Sequence, residues 1–486
     1  MFLLIHQRLI RSPKWIFVWI CLTIGVDSGR SFADSKLRLA DAIDSLLNTA
    51  HLKGTKIGVQ VAEVPGGQLV YQRNSQLSFI PASNMKLLVM AAALEMLGED
   101  YSFQTKIALN GEDLVIIGSG DPTIGSVMVS KDPMFHFRQW VNQLKQRGIT
   151  VLRGNLVLDA TKFDSQFVHP NWRENQLHRS FASPIGALSL SRNCIAIAVH
   201  PARTKGLDAK VEMIPPYSRF RLRGNIQTSG RGKKHLWSAY RHPEGEVVLL
   251  KGQVQVNSTP PAALLPVDDP SDYFGTSLMQ VLDQESIRLE GNLKFLDRSA
   301  HVNQLSVQII HQTALSSVLA LLGKQSDNHA AEQLFKTLGA EFRNQQLPGS
   351  WRTGREACLT ILKRLNMPAQ GVVIDDGSGL SRNNLVTASA ITDVLVSVYS
   401  KEYRTCFLES LAIAGVDGTM RKRLRQTSYR GRVFAKTGTL NSVRTLSGFI
   451  HARNGKWYAF SFLANNLRRS VRKLQNDFCR VIIDGT

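Results

Sequence analysis

The chain has 486 residues, 43% of them apolar and 20% charged, an ordinary globular balance with room for about two to four domains. A net charge of +21 draws polyanions in general, but no zinc-finger spacing or RNA-binding aromatic motif supports a nucleic-acid partner. Past the N-terminus no segment is long and apolar enough to cross a bilayer.

The first elements are an address and a hairpin. Arg8, Arg11 and Lys14 precede an apolar run from Trp15 to Val26, and Ser31-Phe32-Ala33 places small residues where a signal peptidase reads. Residues 1–33 are therefore expected to be a cleaved secretory signal, with the mature chain starting near Asp34 in the periplasm or envelope. Retention of the run as an anchor is the alternative. Cleavage leaves about +18, clustered as Arg219, Arg221, Arg223, Arg231, Lys233 and Lys234, then Arg421 to Arg432, then Arg468 to Lys473. For a secreted chain the expected partner of such runs is an anionic envelope surface or an acidic polymer, not nucleic acid. Lys56 to Glu63 alternates as a strand, Pro65-Gly66-Gly67 turns it, and Gln68 to Gln72 returns.

The next stretch, Pro81-Ala82-Ser83-Asn84-Met85-Lys86, opens a helix predicted over Leu87 to Leu97 that is apolar on nearly every side, as in a domain interior. Its first turn still carries a hydroxyl, Ser83, and an amine, Lys86, three residues apart and so on one face. Unpaired N–H groups at a helix start favour developing negative charge, and an adjacent amine can take a proton from the hydroxyl. The letters alone prove little: Ser is a common N-cap, and Ser470-Val471-Arg472-Lys473 repeats the pattern by chance.

From Tyr101 to about Val199 short strands dominate, at Lys106–Leu109, Leu114–Ile117 and Gly154–Asp159, with a helix over about His136 to Arg147. Residues 200–264 read as polar, basic strands, and Asp272 to Ile287 as a helix followed by a strand over Gly291 to Phe295. Helices return at Ala314–Leu322 and His329–Leu338, with Ser326-Asp327-Asn328 between them. Ser-x-Asn also occurs at Ser191 and Ser381, and an N-cap accounts for Ser326 equally well. Arg432 to Ala435 is a strand ending in Lys436-Thr437-Gly438-Thr439, where Gly permits close backbone approach and Lys and Thr can bind a carboxylate. Thr445–Ala452 and Trp457–Ala464 then pair around an Asn-Gly turn. A hairpin at each end of the chain predicts one domain whose two ends share a sheet, with the middle inserted. Cys194, Cys358, Cys406 and Cys479 are sparse and lack Cys-x-x-Cys spacing, which leaves room for one disulfide but not for a metal site.

Order separates signal from chance. Only Ser83 precedes both a Ser-x-Asn between helices and a Lys-Thr-Gly on a strand, and these three motifs form the signature set of serine β-lactamases and penicillin-binding proteins. Over its whole mature length the chain resembles the D-alanyl-D-alanine carboxypeptidase/endopeptidases of the penicillin-binding protein 4 type. Gly118-Ser119-Gly120-Asp121-Pro122, Ala331-Glu332, Asp376-Gly377-Ser378-Gly379-Leu380-Ser381-Arg382 and Gly415-Val416-Asp417-Gly418-Thr419-Met420 are family-like text, as is the gap of 243 positions between Ser83 and Ser326.

The resemblance implies an α/β (α+β) fold, with an antiparallel sheet flanked by helices and two smaller inserted domains. Residues 34–100 and 301–486 would form the catalytic domain, 101–199 and 265–300 the second domain, and 200–264 a strand-rich basic third. It implies that Ser83 is acylated by a terminal D-Ala-D-Ala bond of peptidoglycan, or by a cross-link, and that Lys86, held neutral by burial and nearby positive charge, takes its proton. Ser326 would relay that proton to the leaving amine, Asn328 orient Lys86 and the substrate amide, and Lys436 and Thr437 hold the terminal carboxylate. Gly438 would let the strand come close, the N–H groups of Ser83 and Thr439 would form the oxyanion hole, and Asp159 and Arg382 would read diaminopimelate. Asn441 stands where relatives often carry Gln. No metal or cofactor is implied, and β-lactams are the expected covalent inhibitors. The competing readings are a β-lactamase, which would need a deacylating Glu after Ser-x-Asn, and a non-catalytic murein-binding or penicillin-sensing homologue. No Gly-x-Ser-x-Gly elbow or His-Glu-x-x-His supports another hydrolase.

Overall fold

The computed structural model describes residues 28–485 apart from 49–51, 53, 127–128, 233, 243–244, 298–304, 343 and 345. The apolar run of the expected signal lies outside the described residues. The first element, helix α1 (Ser28–Leu47), runs through the expected cleavage point at Ala33. None of the helices among the described residues is long and apolar enough to cross a membrane.

Both ends of the chain build one sheet. β1 (Lys56–Val64) and β2 (Gln68–Arg73) form the predicted hairpin, and β1 pairs antiparallel with Trp457–Asn465 from Lys56↔Asn465 to Val64↔Trp457. The strands Val443–His451, Val433–Leu440 and Ala412–Ile413 continue the sheet to six strands. β1 is buried almost throughout rather than on alternate residues, because helices cover the sheet on both faces. On one side α1 supplies Leu39, Ile43 and Leu47 at helical spacing, packed with Phe478 and Ile482 of the C-terminal helix Arg472–Asp484. On the other side lies the predicted interior helix, α2 (Met85–Leu97), fully enclosed from Met85 to Leu94. Helices Asn328–Phe342, Trp351–Arg364 and Ala388–Tyr399 complete that layer.

The middle of the chain forms its own layers. β3 (Ser102–Asn110) and β4 (Asp113–Ile117) join Leu156–Asp159, Leu293–Phe295 and Ser306–Ala314 in a five-stranded sheet. Ser306–Ala314, grouped by sequence with the C-terminal catalytic segment, pairs along β3. Residues 221–255 hold a separate four-stranded sheet. The four cysteines are free thiols, so the disulfide that the sequence left open does not form among them.

Lys436-Thr437-Gly438 differs from expectation. It does not end its strand: pairing with Val443–His451 continues to Leu440↔Val443, so the motif lies inside the sheet with its backbone direction fixed on one side.

Candidate active site

Ser83 sits in a 3-10 turn, Ala82–Asn84, that leads into α2. The turn is held from several directions. Thr445 Oγ1 donates to Pro81 O at 2.8 Å. The Asn84 amide, oriented so that both its ends are satisfied, donates to Lys436 O (3.0 Å) and Thr445 Oγ1 (2.9 Å). Ala82 adopts the left-handed φ of +47°, unusual for a residue with a Cβ. Gly379 packs on it so closely that a Cβ there would fall 1.8 Å from Ala82 O.

One helical turn on, Lys86 is completely buried. Its Nζ lies 3.1 Å from Ser83 Oγ, 2.8 Å from Asn328 Oδ1 and 2.7 Å from Ser378 O. Asn328 Nδ2 donates to Phe181 O at 2.9 Å, which fixes the amide so that its oxygen faces the lysine. Two of the three partners are carbonyl oxygens, able only to accept. A neutral amine gives its two N–H bonds to them and is left with a lone pair directed at the third partner, the Ser83 hydroxyl. Burial lowers the Lys86 pKa to about 8. The charges acting on it work the other way from expectation: Glu332, Asp376 and Asp327 are carboxylates and raise it.

Ser326 follows a π-helical turn, Leu321–Gln325, in the left-handed conformation with φ +61°. It is not the cap of the helix after it. Asp327 takes that place, accepting from Ala330 N at 3.0 Å and from Arg192 Nη1 at 3.0 Å. The Ser326 hydroxyl is thereby left to Lys436, whose Nζ donates to it at 2.8 Å and to Thr437 O at 2.8 Å. Lys436 is fully enclosed, and burial together with the charge of Lys86 holds its pKa well below the ordinary lysine value. Thr437 Oγ1 donates to Thr419 Oγ1 at 2.9 Å. Gly438 is required by geometry: a Cβ there would lie 2.0 Å from Thr445 Oγ1, 2.9 Å from Pro81 O and 3.1 Å from Ser83 N. The strand backbone thus passes directly beside the Ser83 amide, and Thr439, the next residue, is exposed.

The structure brings Ser83, Lys86, Ser326, Asn328, Lys436, Thr437 and Gly438 into this one cluster. Arg382 is at its border, donating to Asn441 O at 3.2 Å. Asp159 is elsewhere. Its carboxylate accepts from Thr161 N (3.0 Å) and Thr161 Oγ1 (2.6 Å), and it lines a cavity of about 720 Å³ with Lys106, Lys162 and Glu341. Asp159 and Arg382 share no hydrogen bond or ion pair with each other; as a pair they are expected to contact the two ends of one substrate side chain, which requires no bond between them.

The groups that aim the Ser378 carbonyl at Lys86 had no role in the sequence reading. Glu332, fully buried, accepts from Ser378 N (2.7 Å), Gly377 N (3.0 Å) and Trp351 Nε1 (2.9 Å). Asp376 accepts from Gly379 N (2.8 Å), Ser381 N (2.7 Å), Asn384 Nδ2 (2.7 Å) and Trp172 Nε1 (2.9 Å). Burial and the nearby Asp376 push the Glu332 pKa up to about 7, against the hydrogen bonds it accepts. The available signal was Asp-Gly-Ser-Gly itself, since consecutive small residues after an acid suit a loop that wraps a carboxylate.

A family model described as "D-Ala-D-Ala carboxypeptidase 3 (S13) family" matches residues 39–482. The chain belongs to that family. Among S13-like relatives, the D-alanyl-D-alanine carboxypeptidase of Actinomadura sp. (strain R39) is 31% identical over 447 residues, covering 88% of this chain and 81% of that one. The D-alanyl-D-alanine carboxypeptidase DacB of Haemophilus influenzae is 25% identical over 84% of this chain and 85% of its own. In fold, this S13 chain matches the crystal structure of penicillin binding protein 4 from Haemophilus influenzae with a TM-score of 0.74 at 23% identity, over 92% of this chain and 99% of that one. The mixed α/β architecture with antiparallel sheets is the one the sequence predicted.

Proposed function

We propose that this S13 protein is a serine D,D-peptidase of peptidoglycan, working outside the cytoplasm through an acyl-enzyme on Ser83. The observation that carries the reading is the Lys86 amine 3.1 Å from Ser83 Oγ, with two carbonyl oxygens on its other sides. Ser83 Oγ attacks the carbonyl of the penultimate D-Ala while Lys86 Nζ takes its proton. The oxygen of the tetrahedral adduct is held by the N–H groups of Ser83 and Thr439. Ser326, bonded to Lys436, passes a proton to the departing amine, and the acyl bond then goes to water. Lys436 and Thr437 bind the terminal carboxylate, with Arg382 at the edge of the site toward the rest of the peptide. The same chemistry serves a terminal D-Ala or a D-Ala–diaminopimelate cross-link, so both carboxypeptidase and endopeptidase activity belong to the proposal.

A β-lactamase is disfavoured because the nearest acid after Ser326-Asp327-Asn328, Glu332, spends both carboxylate oxygens on Trp351, Gly377 and Ser378. It holds a loop and does not face Ser83. The N- and C-terminal segments that share the six-stranded sheet are proposed as the catalytic domain, and the intervening sheets as its two insertions.

The test is mass spectrometry of the protein incubated with benzylpenicillin, with Ser83→Ala alongside. A long-lived adduct on the Ser83 peptide, absent from the variant, is expected. Rapid drug turnover would indicate a β-lactamase, and no adduct on folded protein would indicate a non-catalytic homologue.

A further inference from the structure

The basic middle of the chain is built as a sheet with one covered and one open face. In the four-stranded sheet, Arg221–Gly224 and Leu236–Arg241 flank the long strand Val247–Gln255. Val248, Leu250 and Val254 point inward and are buried against Tyr217, Phe220 and Ile226. The alternate residues face out, as strand geometry demands. The register sets Tyr240 opposite Leu249 and Leu249 opposite Arg223, so a tyrosine, a leucine and an arginine stand side by side across three strands. Lys251 follows Leu249 on the same face, and Leu236 stands four residues before Tyr240 on its strand, again on the same face. Arg221 lies two residues before Arg223 and on the same side.

This face is unusual in two ways at once. Leu236 and Leu249 are 64% and 53% exposed, and Tyr240, whose ring meets that of His178 edge to face, is still 44% exposed, a concentration of large apolar side chains that a solvated sheet does not need. Arg221, Arg223 and Lys251 make no ion pair with any described residue. From Pro215 to Pro266 the sequence holds eight Lys and Arg against two Glu, so the surrounding field is positive. Glu246, just before the long strand, accepts from Arg221 N through its backbone carbonyl.

We infer that this face docks on an anionic lipid bilayer. The cations complement anionic headgroups, each contributing about fivefold to binding. Exposed leucines gain by entering the acyl boundary, and a tyrosine is suited to the headgroup level. A hydrated polyanion would satisfy the cations equally but would give Leu236 and Leu249 no reason to be exposed. The inference does not depend on the reaction at Ser83.

The test is co-sedimentation of the full chain with phosphatidylglycerol-containing vesicles and with phosphatidylcholine vesicles, comparing wild type with Arg221→Glu/Arg223→Glu and Leu236→Ser/Leu249→Ser. All forms carry the same N-terminal segment, so differences report this face. Wild type should favour the anionic vesicles, the charge reversal should cut that partitioning at least about tenfold, and the serine pair should cut it several-fold. Thermal melts and benzylpenicillin acylation should stay unchanged in both variants. Wild-type-like binding of both variants, or no preference for anionic vesicles, would overturn the inference. Loss in the charge variant alone, with the serine pair unaffected, would overturn it in favour of a polyanionic polymer.

Discussion

Ser326 and Asn328, two residues apart, each accept from a different buried lysine: Lys436 Nζ reaches Ser326 Oγ at 2.8 Å and Lys86 Nζ reaches Asn328 Oδ1 at 2.8 Å. One short turn therefore fixes the positions of both amines, and Asp327 between them anchors the turn by capping the helix. Burial lowers the proton affinity of both amines, and the charge of Lys86 lowers that of Lys436 further.

Replacing Ser326 by Ala removes the link between Lys436 and the leaving group. Acylation by a D-Ala-D-Ala peptide should fall by about 10²–10⁴, the usual worth of a positioned proton donor. The fold should be unaffected, because Asp327 and not Ser326 caps the helix. Stopped-flow or adduct-accumulation rates on Ser326→Ala, with a thermal melt as control, check both parts.

The pH profile follows from Lys86. As the base it must be neutral, and with its pKa at about 8 only about a tenth of molecules are competent at pH 7. The acylation rate constant should climb as pH rises toward 8 and level off above it. A rate flat from pH 6 to about 9 would assign the base role to another group. Lys86→Ala should remain folded and lose acylation by orders of magnitude.

Glu332 tunes that profile without touching substrate. Its charge raises the Lys86 pKa, so Glu332→Gln should move the midpoint of the acylation profile below 8. The amide also turns one of the two acceptor oxygens into an NH2 group, which then faces either Ser378 N or the pair Gly377 N and Trp351 Nε1, all of them donors; this should cost about 1–3 kcal/mol of stability. A purely structural role would lower the melting temperature and leave the midpoint in place.

Gly438 should tolerate no side chain. In Gly438→Ala the new methyl meets Thr445 Oγ1 at 2.0 Å and Pro81 O at 2.9 Å, pushing the strand away from the Ser83 turn. Stability should drop by about 1–3 kcal/mol, and benzylpenicillin acylation by at least about tenfold, through displacement of the Thr439 N–H. Normal acylation of this variant would remove the strand from the oxyanion hole.

The parts legible in the sequence are those written in side chains and periodicity. The all-apolar run after Ser83 could only be an interior helix, and the two terminal hairpins could only complete one sheet. Harder to see was anything carried by the backbone. The Ser378 carbonyl is a partner of Lys86, yet a carbonyl has no letter of its own; only the acids that hold its loop, Glu332 and Asp376, do. Glu332 falls among the apolar residues of its helix and is fully enclosed, but the loop it holds could not be read from the letters. The surroundings of Asp159 could not be read from its position in the chain: its strand is next to β4, and its cavity involves Glu341 at the far end of the helix that begins with Asn328. Thirteen residues of helix put that end about 20 Å from Asn328.

The pairing of β1 with Trp457–Asn465 has a consequence for the timing of synthesis. The strand beside the Ser83 turn and the one beside β1 come from the last eighth of the chain, while Ser83 comes from the first fifth. Closing so long a loop is slow and entropically costly, so the first hairpin has no partner until the ribosome has delivered Asn465. A nascent or prematurely ended chain carries the serine and its lysine but lacks Lys436 and the wall that shapes the cleft. The order of the sequence thus delays assembly of the Ser83 site until the last strands of the sheet have been made.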